Sequence, residues 1–382
     1  MSPKSNPNAS TTLPTQSKQS EFSLVEVDTG SSPAIDDIPH TKASGLIKST
    51  EVWYADGDII LRGDSTLFRV SRRLLTKNSR IFEDLFDIPQ PDVGCLSEDS
   101  DDVMEGCLVI QVFDPPDHLE GFLKGLYDAS WEINVNTNHN LRLAVGVLEV
   151  SSKYEAYPLR ERVISWLASV YPPTISAYRK RWETWSKNPS ERYFDPRNIT
   201  LVANAARVSQ ALALLPAALL HYLEKFGSDF SAIIDAHDAG LALGSDRYEA
   251  DLPLLTRDNL SSILKARSRI AFFARRDIYG FAFYRFRKAM CPRGEEEECL
   301  RGKREWVDEV EKGSPDGWFS PLVGQELWEM EMCSVCEKAA EENVELKLQM
   351  LWERLPGMLD LLRWDELERT SRLEAPPDSG PE

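Results

Sequence analysis

Between Trp53 and Phe86 the apolar side chains change from alternating positions to spacings of three and four, and this switch limits what the chain can build. The stretch EVWYADGDIILRGDSTLFRV, residues 51 to 70, reads as two short strands joined at Gly63-Asp64, a hairpin signal in which Phe68 and Val70 share one face. Gly and Asp at a tight turn account for the Arg62-Gly63-Asp64 triplet without an adhesive role. Leu74, Leu75, Asn78, Ile81, Phe82, Leu85 and Phe86 then form one helical stripe or two short helices, the second with Ser79 as its cap. Pro89 and Pro91 stop the helix, and the acidic run at 97 to 102 reads as a solvated loop. CLVIQVFD, 107 to 114, predicts a buried strand, and Asp117 with Glu120 predicts a capping box for a helix carrying Phe122, Leu123, Leu126 and Tyr127. Helices at about 139 to 154 and 157 to 170 follow, closed by Pro172-Pro173.

This order, two strands, helices, a strand and more helices, with the residues that fill it, resembles BTB/POZ domains. The acidic insertion is similar to that of the fungal, basidiomycete-type group. The resemblance covers roughly residues 50 to 172 and rests on Asp58, the strand Leu67 to Val70 with Phe68, the Leu74-Leu75 pair, Ser79, Phe82 and Phe86. It departs from the family at Ser71, where histidine is usual, and a serine there is suited to capping a helix that begins at Arg72. The resemblance implies a small sheet with a helical cluster. It also implies an interaction module whose helical surface and N-terminal strand make a symmetric dimer, which needs a self-complementary apolar patch. Periodicity alone does not separate the residues of such a patch from those of the core.

The whole chain is expected to be α+β, with a mostly helical C-terminal region after this module. Residues 1 to 49, rich in Ser, Thr, Pro and Asn, are expected to be a disordered tail, and 374 to 382 another. The 382 residues carry a formal charge of -18, which repels polyanions and disfavours nucleic acid as a partner of the whole chain. No secretory signal pattern opens the sequence, and the longest apolar run, 211 to 220, is short and contains Pro216. An intracellular protein, cytoplasmic or nuclear and without a membrane anchor, is the expectation. Six cysteines are too few for a disulfide scaffold in a chain of this size, and the Asn-x-Ser/Thr triplets at Asn8, Asn198 and Asn259 read as chance.

Residues 173 to 290 read as helical, with Asn198 or Thr200 as the cap of one long stretch, Pro216 as its break and Gly227 as its end. Asp235, His237 and Asp238 lack a third ligand at a helpful spacing and read as a loop or helix end. Residues 265 to 288 hold eight Lys/Arg against one acid, with seven aromatics between them. Residues 295 to 382 hold 24 Asp/Glu against 10 Lys/Arg, a balance of -14. An intramolecular match between the two explains both better than a single-stranded nucleic acid does.

In the acidic helical region, 291 to 373, Cys291 and Cys299 are followed by the pair Cys333 and Cys336. Four thiolates in this order suit a closed tetrahedral zinc site of structural type, which would pin the region to the end of the basic helix; the bland reading is four packed thiols. The acids Glu295 to Glu298 favour a cation without being ligands, and Cys95 and Cys107 have no such company. A last helix over about 339 to 370 places Val344, Leu348, Leu351, Leu355, Leu359 and Leu362 on one face, with Pro356-Gly357 as its break.

No nucleophile elbow, phosphate-binding loop or zinc-protease motif occurs, and no cluster argues for an enzyme. The expectation is a non-enzymatic interaction protein that pairs with itself or with another BTB chain and binds a protein through its helical region. The alternative is a substrate adaptor of a cullin-type ubiquitin ligase, although no repeat of fixed period supplies a substrate-binding propeller.

Overall fold

A computed structural model describes residues 45–89, 102–135, 137–187, 196–227, 254–283, 291, 293, 296–312, 320–322 and 331–372. The features predicted at 235 to 238 and at Cys95, most of the N-terminal tail and all of the C-terminal one lie outside these residues, as does most of the acidic run at 97 to 102.

Five strands, β1 (Ile47–Trp53), β2 (Ile59–Gly63), β3 (Thr66–Val70), β4 (Val103–Met104) and β5 (Cys107–Val112), form one sheet in the order β1-β3-β2-β5-β4. β2 and β3 make the expected antiparallel hairpin, with Gly63 opposite Thr66 and Asp64 in the left-handed region at φ 49°. β5 lies parallel to β2, and β1 lies parallel to β3 at the sheet edge. β1 begins inside the segment read as tail to residue 49: Ser49 and Val52 are buried, and that inward pattern was too sparse to signal a strand. Alternation divides the strands as expected. Leu61, Phe68 and Val70 join the main core, while Ile60, Leu67 and Cys107 form a small cluster on the opposite face.

The helix pair α1 (Arg72–Asn78) and α2 (Arg80–Asp87) follows β3 at once. Ser79 caps α2, accepting from the Phe82 N–H at 3.2 Å and donating to the Tyr154 carbonyl at 2.5 Å. Ser71 occupies the cap position of α1, but its side chain makes no capping bond. Asp58 does that work from the start of β2, its Oδ1 accepting from the Arg72 N–H at 2.6 Å. The Ser71 N–H instead donates to the Tyr127 hydroxyl at 2.7 Å, and Tyr127 stacks on Tyr54. Leu75, Phe82 and Phe86 are buried, Leu74 is half-buried and Ile81 is exposed.

Helix α3 (Pro116–Tyr127) lacks the expected capping box. It starts two residues earlier, after Pro115, and Glu120 pairs with Lys124 at 2.9 Å instead of reaching back. Gly121 and Gly125 let α3 approach α4 (Asn138–Lys153) and α5 (Tyr157–Ala168), since a Cβ there would meet Val147 at 2.8 Å and Leu159 at 2.6 Å.

The remainder is helical: α6 (Ile175–Lys187), α7 (Pro196–Val208), a 3-10 turn (Leu212–Leu214), α8 (Leu215–Phe226), α9 (Arg257–Phe273), a π turn (Ala274–Ile278), α10 (Gly280–Phe283), α11 (Glu296–Lys312), α12 (Ser334–Met358) and α13 (Trp364–Arg372). Neither Asn198 nor Thr200 caps α7, which starts at Pro196 and buries both. Pro216 does not break a helix; it sits in the first turn of α8, where its missing N–H is harmless, and Gly227 closes that helix. Pro356 stays inside α12. The Trp352 carbonyl that a proline cannot serve accepts from Trp364 Nε1 at 2.7 Å, and the break comes only after Met358.

The basic and acidic stretches meet. Asp360 accepts ion pairs from Lys265 at 2.9 Å and Arg269 at 2.6 Å, and Arg275 pairs with Glu311 at 2.5 Å. The molecule is thus mixed α+β, a small sheet near the N-terminus followed by a mostly helical region, and residues from 45 onward pack as one unit. Among the described residues no helix is long and apolar enough to cross a membrane.

Two substitutions test this account by urea unfolding of the full chain. Phe82→Ala should cost about 3–5 kcal/mol, because it empties a site between Phe86 and Tyr154. Asp58→Ala should cost about 1 kcal/mol for a lost cap, and Ser71→Ala almost nothing; equal losses would refute the assignment of the cap.

Candidate metal centre

The helix starts of α11 and α12 bring the four C-terminal cysteines together. Cys333 is the cap residue of α12 and Cys336 lies in its first turn, so the two-residue spacing turns both thiols to one side. Cys299 lies in the first turn of α11 and Cys291 precedes that helix. Their Sγ atoms all lie within 4.8 Å of one another, Cys291 at 3.9 Å from Cys299 and 3.5 Å from Cys333. The group is close enough to hold a metal ion.

Backbone donors aim at the sulfurs. The Cys333 N–H donates to Cys299 Sγ at 3.2 Å, and the Cys336 N–H, donating to Cys333, holds the Cys333 thiol down to about 7. Burial pushes the Cys299 thiol up, and burial with the neighbouring sulfurs pushes Cys336 up to about 12. A bound cation would favour the thiolate form of its ligands and displace their protons.

Gly302, which the sequence reading passed over, makes the close approach feasible. A Cβ there would lie 2.3 Å from the Glu331 carbonyl oxygen, so only glycine lets α11 press against the backbone that leads into Cys333. A glycine in a helix otherwise made of good formers, three residues after a cysteine, was the available signal. Cys107 is buried among strand residues, far in sequence from this group and not part of it.

No family model, curated protein or solved structure matches the chain.

Among the described residues, the other sequence-marked positions do not assemble a second site. Asp58, Ser71 and Ser79 end as cap or turn groups around α1 and α2, while Phe68, Val70, Leu75, Phe82 and Phe86 are core. Asn198 and Asn259 are both buried, at odds with any glycan. A different cluster of buried titratable groups lies between α6 and α8. His221 is enclosed near Tyr171 and Trp182, and burial lowers its pKa to about 3. Burial raises that of Glu224 to about 8, although Ser320 donates to its Oε2 at 2.5 Å.

Glu224 generates a pH prediction. The native state keeps a proton that the unfolded chain releases above 4.5, so this group subtracts stability as pH rises from about 4.5 to about 8 and no more beyond. Glu224→Gln should remove that decline and raise the melting temperature at about pH 8.5 more than at about pH 5. An equal shift at both would show that the carboxyl is not held protonated.

Proposed function

We propose that the protein is a non-enzymatic interaction protein. Its residues 50 to 172 act as a BTB/POZ-type association module, and its helical region binds a protein partner and is clasped by structural zinc. The observation that carries the first part is the division of the helix stripe. Leu75, Phe82 and Phe86 turn inward, while Ile81 on α2 is 38% exposed and Ile47 on the edge strand 63% exposed. These apolar groups lie on the elements that the BTB resemblance assigns to symmetric pairing, and such pairing would cover them. The hairpin, helix pair, parallel strand and following helices also occur in the order that the resemblance implies.

The zinc reading rests on donor chemistry and spacing. Sulfurs about 2.3 Å from a tetrahedral zinc stand about 3.8 Å apart, and the Cys291 distances of 3.9 and 3.5 Å bracket that edge. Four sulfurs leave no open position, which favours a structural ion over a catalytic one. Its role would be to hold the starts of α11 and α12 together, so metal binding and docking of α11 are one process.

Light scattering on the full chain tests the association. A mass of two chains is expected, returning to one in Ile47→Glu/Ile81→Glu; a monomeric parent would overturn the dimer reading. Adding a cullin N-terminal domain separates the adaptor alternative, which requires a further rise in mass. Metal analysis of purified protein should give about one zinc per chain, lost in Cys333→Ser and reduced in Gly302→Ala. Folded protein free of metal would end the zinc reading.

A further inference from the structure

We infer that the cleft between α5 and α13 is a binding site for a small zwitterion with an apolar side group, of the chemical class of a free apolar amino acid. The cleft has a volume of about 450 Å³, near the lower end of ligand sites, and its lining is mostly apolar. Helical spacing gives α5 one face with Glu161, Ile164, Ser165 and Ala168, while α13 contributes Glu368, Ser371 and Arg372. Leu214 of the 3-10 turn and Pro173 complete an apolar floor. Tyr171 also lines the cleft, and its buried hydroxyl has no hydrogen-bond partner among the described residues.

Charge selects the ligand. Glu161 of α5 and Glu368 of α13 both line the cleft and are exposed; Glu161 has the Arg160 guanidinium nearby, and Glu368 is in no ion pair among the described residues. Arg372 lies one helical turn from Glu368 and the two form no ion pair, so the lining carries exposed charges of both signs. The buried guanidinium beside Glu161, that of Arg160, is turned inward onto the carbonyls of Ser371 and Ser209 and is not available to a ligand. A cation alone would leave Arg372 unanswered, and an anion alone would meet two carboxylates. A zwitterion answers both, its ammonium toward Glu161 and Glu368, its carboxylate toward Arg372 and its side group on the floor of Ile164, Ala168 and Leu214. Because residues of both α5 and α13 line the cleft, occupancy would tie the C-terminal helix more firmly to the rest and raise the melting temperature.

The test uses the full chain, with L-leucine and L-phenylalanine as probes in saturation-transfer NMR and calorimetry. Isoamylamine and 4-methylpentanoate, each lacking one charge, are the comparisons, and a capped leucine with neither charge serves as a stand-in for a peptide side chain. At least one amino acid should bind, about tenfold or more tighter than either singly charged analogue and than the capped form. Glu161→Gln/Glu368→Gln should weaken the amino acid and the amine but not the acid, Arg372→Gln the amino acid and the acid but not the amine. Glu368 and Arg372 are exposed and their variants should melt as the parent does, whereas Glu161 also faces the buried Arg160 guanidinium, so the double variant is compared with Glu368→Gln alone, which should show the same selective weakening without a change in melting temperature. Ala168→Leu, which fills the floor, should abolish binding of all. Absence of binding by both amino acids, equal binding of the analogues or the capped form, or indifference to the charge variants would overturn the proposal.

Discussion

A single buried guanidinium joins the parts of this chain. Arg160, on α5 of the sheet-bearing part, is fully enclosed, and its donors go to the Ser209 carbonyl beyond α7 at 2.7 Å, the Ser152 hydroxyl at 3.1 Å and the Ser371 carbonyl on α13. No carboxylate is among these acceptors, and burial lowers the pKa accordingly. A cation enclosed in this way is tolerable only while every acceptor stays in place, so the position of α13 is a condition for the stability of α5. Ser371 returns the contact, its hydroxyl accepting from the Ala213 N–H at 2.8 Å.

The same reliance on directed polar contacts recurs wherever the C-terminal helices meet the rest. Trp352 is buried and stacks on Trp364, but its register is set by Nε1 donating to the Pro173 carbonyl at 2.8 Å. Asn343 donates to the Ile278 carbonyl at the end of the π turn, and Tyr279 to the Pro321 carbonyl. Apolar packing supplies the bulk of the attraction, as Leu348, Leu351, Leu355 and Leu359 attest. Hydrogen bonds supply the uniqueness, because a helix of leucines alone could slide by a turn with little loss.

Features decided by neighbours in sequence were legible. Ser79 could be read as a cap because its partner, Phe82, is three residues away, and Phe68 and Val70 could be placed on one face because a strand has a period of two. Features decided across space were not. The donor that Asp58 satisfies is fourteen residues on, brought near only after β2 and β3 have paired. Asp117 and Glu120 had the right spacing for a capping box, yet Lys124 and the double proline offered a competing solution. Cysteine spacing pointed to the right four residues, while the reason they can converge, the bare backbone of Gly302 against Glu331, depends on a contact between segments far apart.

The proline in α12 shows how such distant contacts let a local rule fail without harm. Pro356 removes the donor for the Trp352 carbonyl, which in isolation should end the helix. Trp364 fills that place from the next helix, and in doing so fixes how α13 leaves α12. The turn between them carries Asp360 at φ 56°, where its carboxylate meets both Lys265 and Arg269 of α9. A misfit in one helix thus sets the direction of the chain that delivers Ser371 to Arg160, and the cleft beside α5 exists because α13 arrives there at that angle.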